Sequence, residues 1–500
     1  MNTLLNSLKE MNNYKFTENG DLAYRSTMNG IMDLFAFGGA YRSRSTEDRI
    51  LLFKKAFEED ETLALRCLFY LRDCRGGQGE RKFFREVIHW LAIEYPTTVK
   101  RNLQYIPYFG RWDDLYCLVD TPLEQDVFNF MYHQLALDVK SKTPSLLAKW
   151  LKSENASSEQ TRDLGRRTRM AFHMSAKEYR KTLSTLRERI RVLERLMSEN
   201  RWDEIEFDKI PSKAGFIYRN AFARHDVERA AANKQTYAEF AKDTSKKVNA
   251  DTLYPCEVVA DAINCRDNKL SIWEQTDRLM INKYWDNLKD YFNNAVFNGV
   301  AVVDTSGSMT WDNNKIKPID VAIALGMYCA EKCNPNSPWY GHYISFSSYP
   351  QLISIDGIDF VDKVHRIYRT NLCDNTNIEN VFRLLLNTAI RNHVPQEEMP
   401  ENIIIISDME FDAAQDWRSL PIESVTELYM RKYKEYGYNL PHLIFWNVNA
   451  RNDTIPMKDN GHVTFVSGYS ASLFEQILSG KTSIDFVLDI LNSDRYSRIY

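Results

Sequence analysis

The chain of 500 residues has no long hydrophobic run. No window reaches the roughly 18 uncharged apolar residues that a membrane-spanning helix needs, so we expect no membrane segment. The first residues, MNTLLNSLKEMNNYKF, also lack the apolar stretch and small-residue cleavage site of a secretory signal. These absences predict a protein that stays in the cytoplasm, where it is made.

Cysteine is scarce, with eight residues in the chain, and none of them forms a Cys-x-x-Cys pair. Cys329 and Cys333 lie one turn apart on a predicted helix, which is half of a zinc-site spacing. No His or Cys pair with finger spacing accompanies them, so buried thiols are the better interpretation. Such thinly spread cysteines are unlike a secreted disulfide scaffold and indicate a reducing compartment.

Charge of one sign does not dominate the chain, whose net charge is -4, but its two parts differ. Residues 296–500 contain 17 Lys and Arg against 25 Asp and Glu, whereas residues 1–295 contain 47 against 43. Because 500 residues exceed what one compact core accommodates, we predict two domains, residues 1–295 and residues 296–500. Their opposite net charges indicate different partners.

The first predicted domain is helical. From residue 48 onward, apolar residues recur at three- and four-residue steps, and short Gly- or Pro-bearing turns separate the helical runs. Successive helix pairs of about 30 to 40 residues fit a HEAT-like array. Ser175 is a predicted N-cap of a long helix, and residues 273–293 are predicted to form one amphipathic helix.

Residues 162–195 are strongly basic, with 11 Lys and Arg against 4 Asp and Glu. A basic helical surface of this kind can neutralise the phosphates of an RNA. The alternative is an ordinary solvated face, on which Glu178, Glu188 and Glu194 pair with some of the cations. The predicted RNA-binding residues are Arg162, Arg166, Arg167, Arg169, Lys177, Arg180, Lys181, Arg187 and Arg191, with Arg189 and Arg195 beside them.

The pattern changes at residue 298. Five short apolar segments, NGVAVVD, YGHYISF, ENIIIISD, LPHLIFWNV and HVTFVSG, alternate with helical patterns, of which one runs from Pro318 to Lys332. Strands that alternate with helices predict a parallel, doubly wound, Rossmann-like α/β sheet. The uninterrupted apolar run from Ile403 to Ile406 predicts a central strand that is covered on both faces.

Oxygen-bearing side chains follow these strands. Asp304, Ser306 and Ser308 form an Asp-x-Ser-x-Ser loop after the first strand, Thr376 lies in a later polar loop, and Asp408 ends the strand IIIIS. Because the carboxyl ends of parallel strands meet at one edge, these oxygens are predicted to surround a hard divalent cation, most simply Mg²⁺. The alternative is a structural turn in which Asp304 merely caps a helix.

The segment from about residue 298 to 480 resembles a von Willebrand A domain with a metal-ion-dependent adhesion site. The resemblance implies that Asp304, Ser306, Ser308, Thr376 and Asp408 surround the metal. It also implies an open coordination position, which an Asp or Glu of a protein partner fills. Members of that family often have Gly before the Thr and Asp after it, whereas this chain has Asn375 and Asn377.

A second resemblance covers residues 28 to 480. The segments LFAFGGAYRSRS, LRDCRGGQGER, YFGRWDDL, IPSKAG and LYPCEVV resemble a family known as domain of unknown function 2828. That family is similar to the Ro autoantigen, whose TROVE module is a ring of HEAT-like helices closed by a von Willebrand A domain. The resemblance implies binding of misfolded or small structured RNAs on the basic helical part.

Two further motifs have both a functional and a structural interpretation. The arginines of the segment RDCRGGQGER, which runs from Arg72 to Arg81, can bind phosphate. The segment is not a P-loop, because no Lys-Ser/Thr follows at the required spacing. A turn between two helices is the better interpretation. The motif GRWDDL, with Trp112, Asp113 and Asp114, is predicted to form a turn and a helix start rather than a second metal site.

These observations leave three functions open. The first is a Ro-like ribonucleoprotein component that binds RNA and recruits a protein partner through its metal. The second is a metal-dependent protein-interaction scaffold without nucleic acid. The third is a hydrolase that uses Asp304, Asp408 and Glu410; it is disfavoured because the chain shows no paired-His motif and no recognisable nucleophile. We therefore predict a binding protein and not an enzyme.

Overall fold

The computed structural model describes residues 12–266, 271–310, 315–347, 349–370, 377–412, 425–458, 461–478 and 483–500. Among these residues, no helix combines the length and apolar character needed to cross a membrane. The strands are β1 (Tyr14–Phe16), β2 (Leu22–Tyr24), β3 (Gly299–Asp304), β4 (His342–Phe346), β5 (Leu352–Ser354), β6 (Asn402–Ser407), β7 (His442–Asn447) and β8 (Val463–Ser467).

The α-helices of the described residues are numbered in chain order. They are α1 (Gly30–Gly38), α2 (Thr46–Glu59), α3 (Glu61–Arg72), α4 (Arg81–Glu94), α5 (Pro96–Asn102), α6 (Ile106–Phe109), α7 (Glu124–Lys140), α8 (Leu147–Trp150), α9 (Glu159–Ala171), α10 (Ala176–Arg189), α11 (Leu193–Ser198), α12 (Ser212–Arg224), α13 (Asp226–Ala231), α14 (Tyr237–Lys242), α15 (Pro255–Ile263), α16 (Ile272–Asp286), α17 (Pro318–Lys332), α18 (Phe360–Thr370), α19 (Ile378–Asn392), α20 (Val425–Glu435), α21 (Leu473–Ile477) and α22 (Ser483–Asn492).

The chain divides into two compact units. The first unit contains Met1–Cys67 and Leu253–Ser493, and the second contains Leu68–Thr252 and Asp494–Tyr500. The first unit thus takes residues from both sides of the boundary that the sequence places between residues 295 and 296. That boundary stays a prediction about domains, whereas the units describe where the chain is compact.

The first unit is built on a six-stranded sheet in the order β5-β4-β3-β6-β7-β8. Its strands are parallel except for β5, which pairs antiparallel with β4 at one edge. All five strands that the sequence predicts are present. The strand of this sheet that the sequence analysis missed, β5, has the sequence Leu-Ile-Ser, is largely exposed and is shorter than the apolar segments from which the other strands were predicted.

The centre of this sheet follows from apolar runs that have no polar face. All six residues of β3 are buried, and Ile403 to Ile406 of β6 are completely buried, as predicted for a central strand. Helix α17, which has the predicted bounds, packs against β3. A Cβ at Gly326 would lie 2.3 Å from a methyl carbon of Val303, so a glycine lets the helix approach the strand closely.

An N-terminal segment completes the first unit. Strands β1 and β2 form an antiparallel hairpin, and Tyr24 exchanges two backbone hydrogen bonds of 2.9 Å with Ile455. Helix α1 packs on β8, where the Ser467 hydroxyl donates to the Phe35 carbonyl and accepts from the Gly39 amide. Buried contacts of this kind, between positions more than 400 residues apart, leave no periodic signal in the sequence.

Every residue of the second unit is described, and the unit consists of helices and connecting turns. Ser175 caps α10 as predicted, because its side chain accepts a hydrogen bond from the Glu178 amide. The helix has 14 residues and ends at Arg189, and Arg191 has a φ of 49°, which a helix cannot contain. The coarse architecture is therefore a helical region followed by a mostly parallel sheet that helices flank.

Candidate functional site

The direction of the chain reverses at the centre of the sheet. From β3 it moves outward to β4 and β5, and it then crosses back to β6 on the other side of β3. Val303 lies opposite Ile406, so the two strands end side by side. Such a switch point leaves a crevice beyond the carboxyl ends of the strands. The loop from Asp304 to Ser308 and the residue Asp408 both lie there.

Asp304 is the centre of this site and is completely buried. Its Oδ1 accepts a 2.9 Å hydrogen bond from the Ser306 amide, and its Oδ2 accepts one of 2.6 Å from the Ser407 hydroxyl. The hydroxyls of Ser306 and Ser308 lie 3.1 Å apart. Two hydroxyl oxygens and a fixed carboxylate are therefore concentrated in one short loop.

The site carries negative charge out of water. Burial raises the pKa of Asp304, and the neighbouring carboxylate of Asp408, itself almost fully buried, raises it further. Two adjacent buried carboxylates favour a cation between or beside them, because a cation offsets both the burial and the mutual repulsion.

Part of that compensation comes from an arginine. Arg451 donates a 2.8 Å hydrogen bond to Oδ2 of Asp408 and lies 3.1 Å from the carboxylate of Glu18. The guanidinium therefore fixes the orientation of the Asp408 carboxylate. Sequence reasoning missed Arg451, which lies far along the chain from Asp408 in an undistinguished polar loop.

Glu410, considered for a hydrolase site, is committed to other contacts. Its carboxylate accepts a 2.7 Å hydrogen bond from the Glu18 amide and another of 2.7 Å from the Thr454 hydroxyl. These bonds tie the loop after β6 to the N-terminal segment and to the loop after β7. A structural role explains the buried position of this carboxylate.

The donor set suits a hard cation. Aspartate and serine oxygens are ligands of Mg²⁺, which keeps several of its waters. In the described part of the chain, no three His, Cys, Asp or Glu side chains form a metal-binding group, so the set depends on hydroxyls. Thr376, the predicted ligand from the second loop, lies outside the described residues together with Asn375. Metal binding by all five predicted residues stays a prediction.

Most of the predicted RNA-binding arginines bind the protein itself. Their partners are the carbonyls of Ala156 and Ser157 for Arg162, Asp163 for Arg166, Asp120 and Glu124 for Arg167, Glu154 for Arg169, the Val139 carbonyl for Arg189, Glu206 for Arg191, and Glu188 and Glu199 for Arg195. The bond from Arg166 is long, at 3.4 Å between two exposed side chains, and holds this arginine weakly.

Arg187 has a structural position. Its guanidinium donates to the carbonyls of Ala148 and Leu151, each at 2.9 Å, and to the Ser153 hydroxyl at 3.1 Å. Burial lowers the pKa of this side chain. Arg187 thus joins α10 to α8 and to the segment after it, and three of its donor atoms are engaged within the protein.

Three of the predicted cations differ from the rest. Lys177, Arg180 and Lys181 are exposed on α10, and their side chains form no ion pair or hydrogen bond with the described residues. Positions three and four residues apart lie on the same face of a helix. The structure therefore reduces the predicted basic surface to one row of three available cations, which we call the α10 row.

The RDCRGGQGER segment forms the predicted connection between helices. A Cβ at Gly77 would lie 2.0 Å from the Tyr70 carbonyl oxygen, and Gly79 has a φ of 66°. The Asp73 carboxylate of this turn binds Arg495 and accepts a 2.9 Å hydrogen bond from the Tyr496 hydroxyl. Its glycines therefore serve close backbone packing.

The model of the Domain of unknown function (DUF2828) matches residues 17–144 and 133–294, which together make up more than half of the chain. The chain belongs to the DUF2828 family. A second model, the Domain of unknown function (DUF7788), matches residues 298–492, the part of this DUF2828 protein that contains the large sheet and the Asp304 loop.

Two individual proteins are similar to this DUF2828 protein. Uncharacterized protein L728 of Acanthamoeba polyphaga mimivirus is 30% identical over 511 aligned residues, which cover 94% of this chain and 86% of the viral protein. The crystal structure of the Deinococcus radiodurans Ro (RSR) protein is 13% identical, with a TM-score of 0.47, and the match covers 94% of this chain and all of that one.

Proposed function

We propose that this DUF2828 protein binds RNA on its helical part and a divalent cation, Mg²⁺, at the Asp304 loop. In this proposal a protein partner offers an Asp or Glu side chain to the cation. The helices act as a TROVE-like, HEAT-type array, and the sheet acts as a von Willebrand A-like domain. The function is one of binding, without a chemical step on the ligand.

The α10 row is the observation that carries the RNA part. Lys177, Arg180 and Lys181 present three cations on one face, and none of them has an anionic partner among the described residues. Contacts to phosphate need mobile, accessible cations and not cations already bound within the protein. The motif resemblance to the Ro-like family supports the same ligand class.

The Asp304 loop supports the cation part. Asp304, Ser306 and Ser308 would hold the ion, with Asp408 beside it and Thr376 from the second loop. The bound cation would attract a carboxylate and offer it a coordination position. The buried Asp304 and its hydrogen bond from Ser407 hold the loop ready for such an ion.

The RNA part is tested by reversing the α10 row. The triple variant Lys177→Glu, Arg180→Glu, Lys181→Glu should weaken binding of a single-stranded RNA and reduce the slope of log affinity against log salt by about 2, at roughly 0.7 per phosphate contact. The matched control reverses three exposed lysines elsewhere that form no ion pair with the described residues, Lys234, Lys246 and Lys434. An unchanged salt slope in the α10 variant would remove this surface from the proposal.

The second candidate is a metal-dependent interaction scaffold without nucleic acid. The Asp304 loop favours it, because this loop can act without any RNA. The two candidates are separated by a pull-down of partners with and without nuclease, in Mg²⁺ or in a chelator. Partners lost on chelation but retained after nuclease indicate the scaffold, whereas RNA that co-purifies and dissociates at high salt indicates the RNA-binding protein.

A further inference from the structure

The second unit contains a group of arginines around two carboxylates. Arg72 and Arg85 bind Asp114, each at 2.6 Å, and Arg85 also binds Asp113 at 2.8 Å. Arg111 binds the other oxygen of Asp113 at 2.9 Å. Both carboxylates are nearly or fully buried, so the group is fixed in place.

Two more cations lie beside this group. Arg81 and Lys152 form no ion pair or side-chain hydrogen bond with the described residues. Lys152 lies over the ring of Tyr116, 5.3 Å from its centre, and Arg111 lies 4.1 Å from the ring centre of Trp150. The ring faces of Tyr116 and Trp150 thus position Lys152 and Arg111 without neutralising their charges.

The cations of this region repel one another. Burial lowers the pKa of Arg81, and the positive charges of Arg111 and Arg85 lower it further. Burial also lowers the pKa of Lys152; Asp113 opposes this effect, and Arg85, Arg111 and Arg81 add to it. The group of Arg72, Arg81, Arg85, Arg111 and Lys152 around Asp113 and Asp114 thus contains five cations and two carboxylates, a surplus of positive charge among these side chains.

The local helix adds to that surplus. Helix α4 begins at Arg81, has 14 residues and contains no acidic residue in its first turn. The N-terminal end of a helix carries a partial positive charge, which acidic side chains usually offset. The N-cap residue is Glu80, whose side chain forms no capping hydrogen bond, and the first two residues of the helix, Arg81 and Lys82, are basic. An anionic ligand can stabilise such a helix end.

We propose that Arg81 and Lys152, together with Arg85 and Arg111, form a binding site for a phosphate group. Guanidinium groups match the oxygens of phosphate in pairs, and the surplus charge suits a group with more than one negative charge. The phosphate belongs either to an RNA backbone, an assignment that rests on the proposed function, or to a small free polyphosphate. The site lies apart in sequence from the α10 row.

The experiment measures binding of sodium tripolyphosphate and of a 12-nucleotide oligouridine to the full chain at low salt. The double variant Arg81→Gln, Lys152→Gln should bind tripolyphosphate at least about 10-fold more weakly, since each charge-assisted contact contributes substantially. Arg81→Lys, Lys152→Arg keeps both charges and should restore most of the affinity. Lys54→Gln, Lys100→Gln removes two exposed charges elsewhere and should leave it unchanged. Circular dichroism and thermal unfolding confirm that each variant folds.

Each outcome has a defined meaning. Loss of tripolyphosphate affinity in the Gln variant, with weaker oligouridine binding, supports the site and assigns it to RNA. The same loss with unchanged oligouridine binding supports a site for free polyphosphate. If the Gln variant loses tripolyphosphate affinity and the wild-type chain binds no RNA, this site stands and the proposed RNA function fails. Equal tripolyphosphate binding by wild type and the Gln variant, or none by either, overturns the site.

Discussion

The Ser407 hydroxyl donates a 2.6 Å hydrogen bond to Oδ2 of Asp304 and so joins the last residues of two neighbouring parallel strands. Ser407 is not a proposed ligand, but it orients one. Removing such an outer contact commonly lowers metal affinity by about 10- to 100-fold. Ser407→Ala should therefore weaken Mg²⁺ binding in calorimetric titration by about 10-fold, whereas Ser306→Ala should abolish it.

A matched control exists in the same sheet. Ser345 of β4 is also buried, and its hydroxyl bonds to the backbone of Gln351. Ser345→Ala should leave Mg²⁺ affinity unchanged. Equal affinities of wild type and Ser407→Ala would show that the hydrogen bond to Asp304 has no influence on the cation site.

The variant Arg451→Gln tests whether a cation binds beside Asp408, because it removes the arginine that forms the internal ion pair with this carboxylate. Arg451 is the cation that balances the buried Asp408, so its loss should lower the free energy of unfolding in the absence of metal by about 2 to 3 kcal/mol. A bound Mg²⁺ would then supply the missing positive charge. The stabilisation by Mg²⁺, measured as a shift in Tm, should be larger in Arg451→Gln than in wild type; an equal shift would contradict a cation beside Asp408.

The side chain of Arg187 distinguishes a structural arginine from an RNA contact. Its fork of three donors cannot be reproduced by a lysine, although a lysine keeps the charge. Arg187→Lys should lower the free energy of unfolding by about 1 to 3 kcal/mol, measured in urea, with RNA affinity unchanged. If RNA affinity falls while stability is retained, this residue belongs to the RNA surface after all.

Asp21 should make stability depend on pH. Burial raises the pKa of Asp21 to about 8, against the opposing hydrogen bonds from the Val425 and Leu22 amides. The folded state therefore retains a proton that the unfolded state releases near pH 4, and the stability of the first unit falls as pH rises from about 4 to 8.

Asp21→Asn removes this titration and keeps an acceptor for both amides. Its gain in the free energy of unfolding over wild type should be larger at pH 8.5 than at pH 5, by on the order of 3 kcal/mol. Asp251→Asn, at an exposed position, is the control and should show no such difference. A gain that does not change with pH would contradict the pKa assigned to Asp21.

Gly77 should tolerate no side chain. A Cβ there would lie 2.0 Å from the Tyr70 carbonyl oxygen, a backbone atom that cannot move aside cheaply. Gly77→Ala should lower the free energy of unfolding by about 2 to 4 kcal/mol. At neighbouring Gly76, the nearest atom, at 3.0 Å, belongs to the flexible Arg495 side chain, so Gly76→Ala should cost under about 1 kcal/mol. Comparable Tm values for the two variants would contradict this role.

The sequence predicted those structural features that depend on the pattern of neighbouring residues. Uninterrupted apolar runs such as Ile403 to Ile406 revealed the parallel strands, and Ser175 marked the start of its helix because a cap is encoded within three residues. The loop of Asp304 was placed after its strand for the same reason. The doubly wound order follows from strand–helix alternation, and the observed reversal between β3 and β6 agrees with it.

What the sequence could not reveal depends on contacts between distant segments. The pairs of Ser407 with Asp304 and of Arg451 with Asp408 join residues whose spacing carries no motif. The same limit applies to the basic helices. Charge counts predicted a broad RNA-binding surface, whereas in the structure most of these arginines, such as Arg187, form hydrogen bonds within the protein.

Tyr24 and Ile455 become hydrogen-bonded neighbours although about 430 residues separate them in the chain. During synthesis at roughly 5 to 20 residues per second, the early hairpin waits on the order of half a minute or longer for its partner to emerge. The second unit, by contrast, has most of its residues available by then. A chain that is released from the ribosome before β7 has been synthesised therefore contains nearly all of the helical unit. Its N-terminal strands, however, have unpaired edges that are open to aggregation and to proteases.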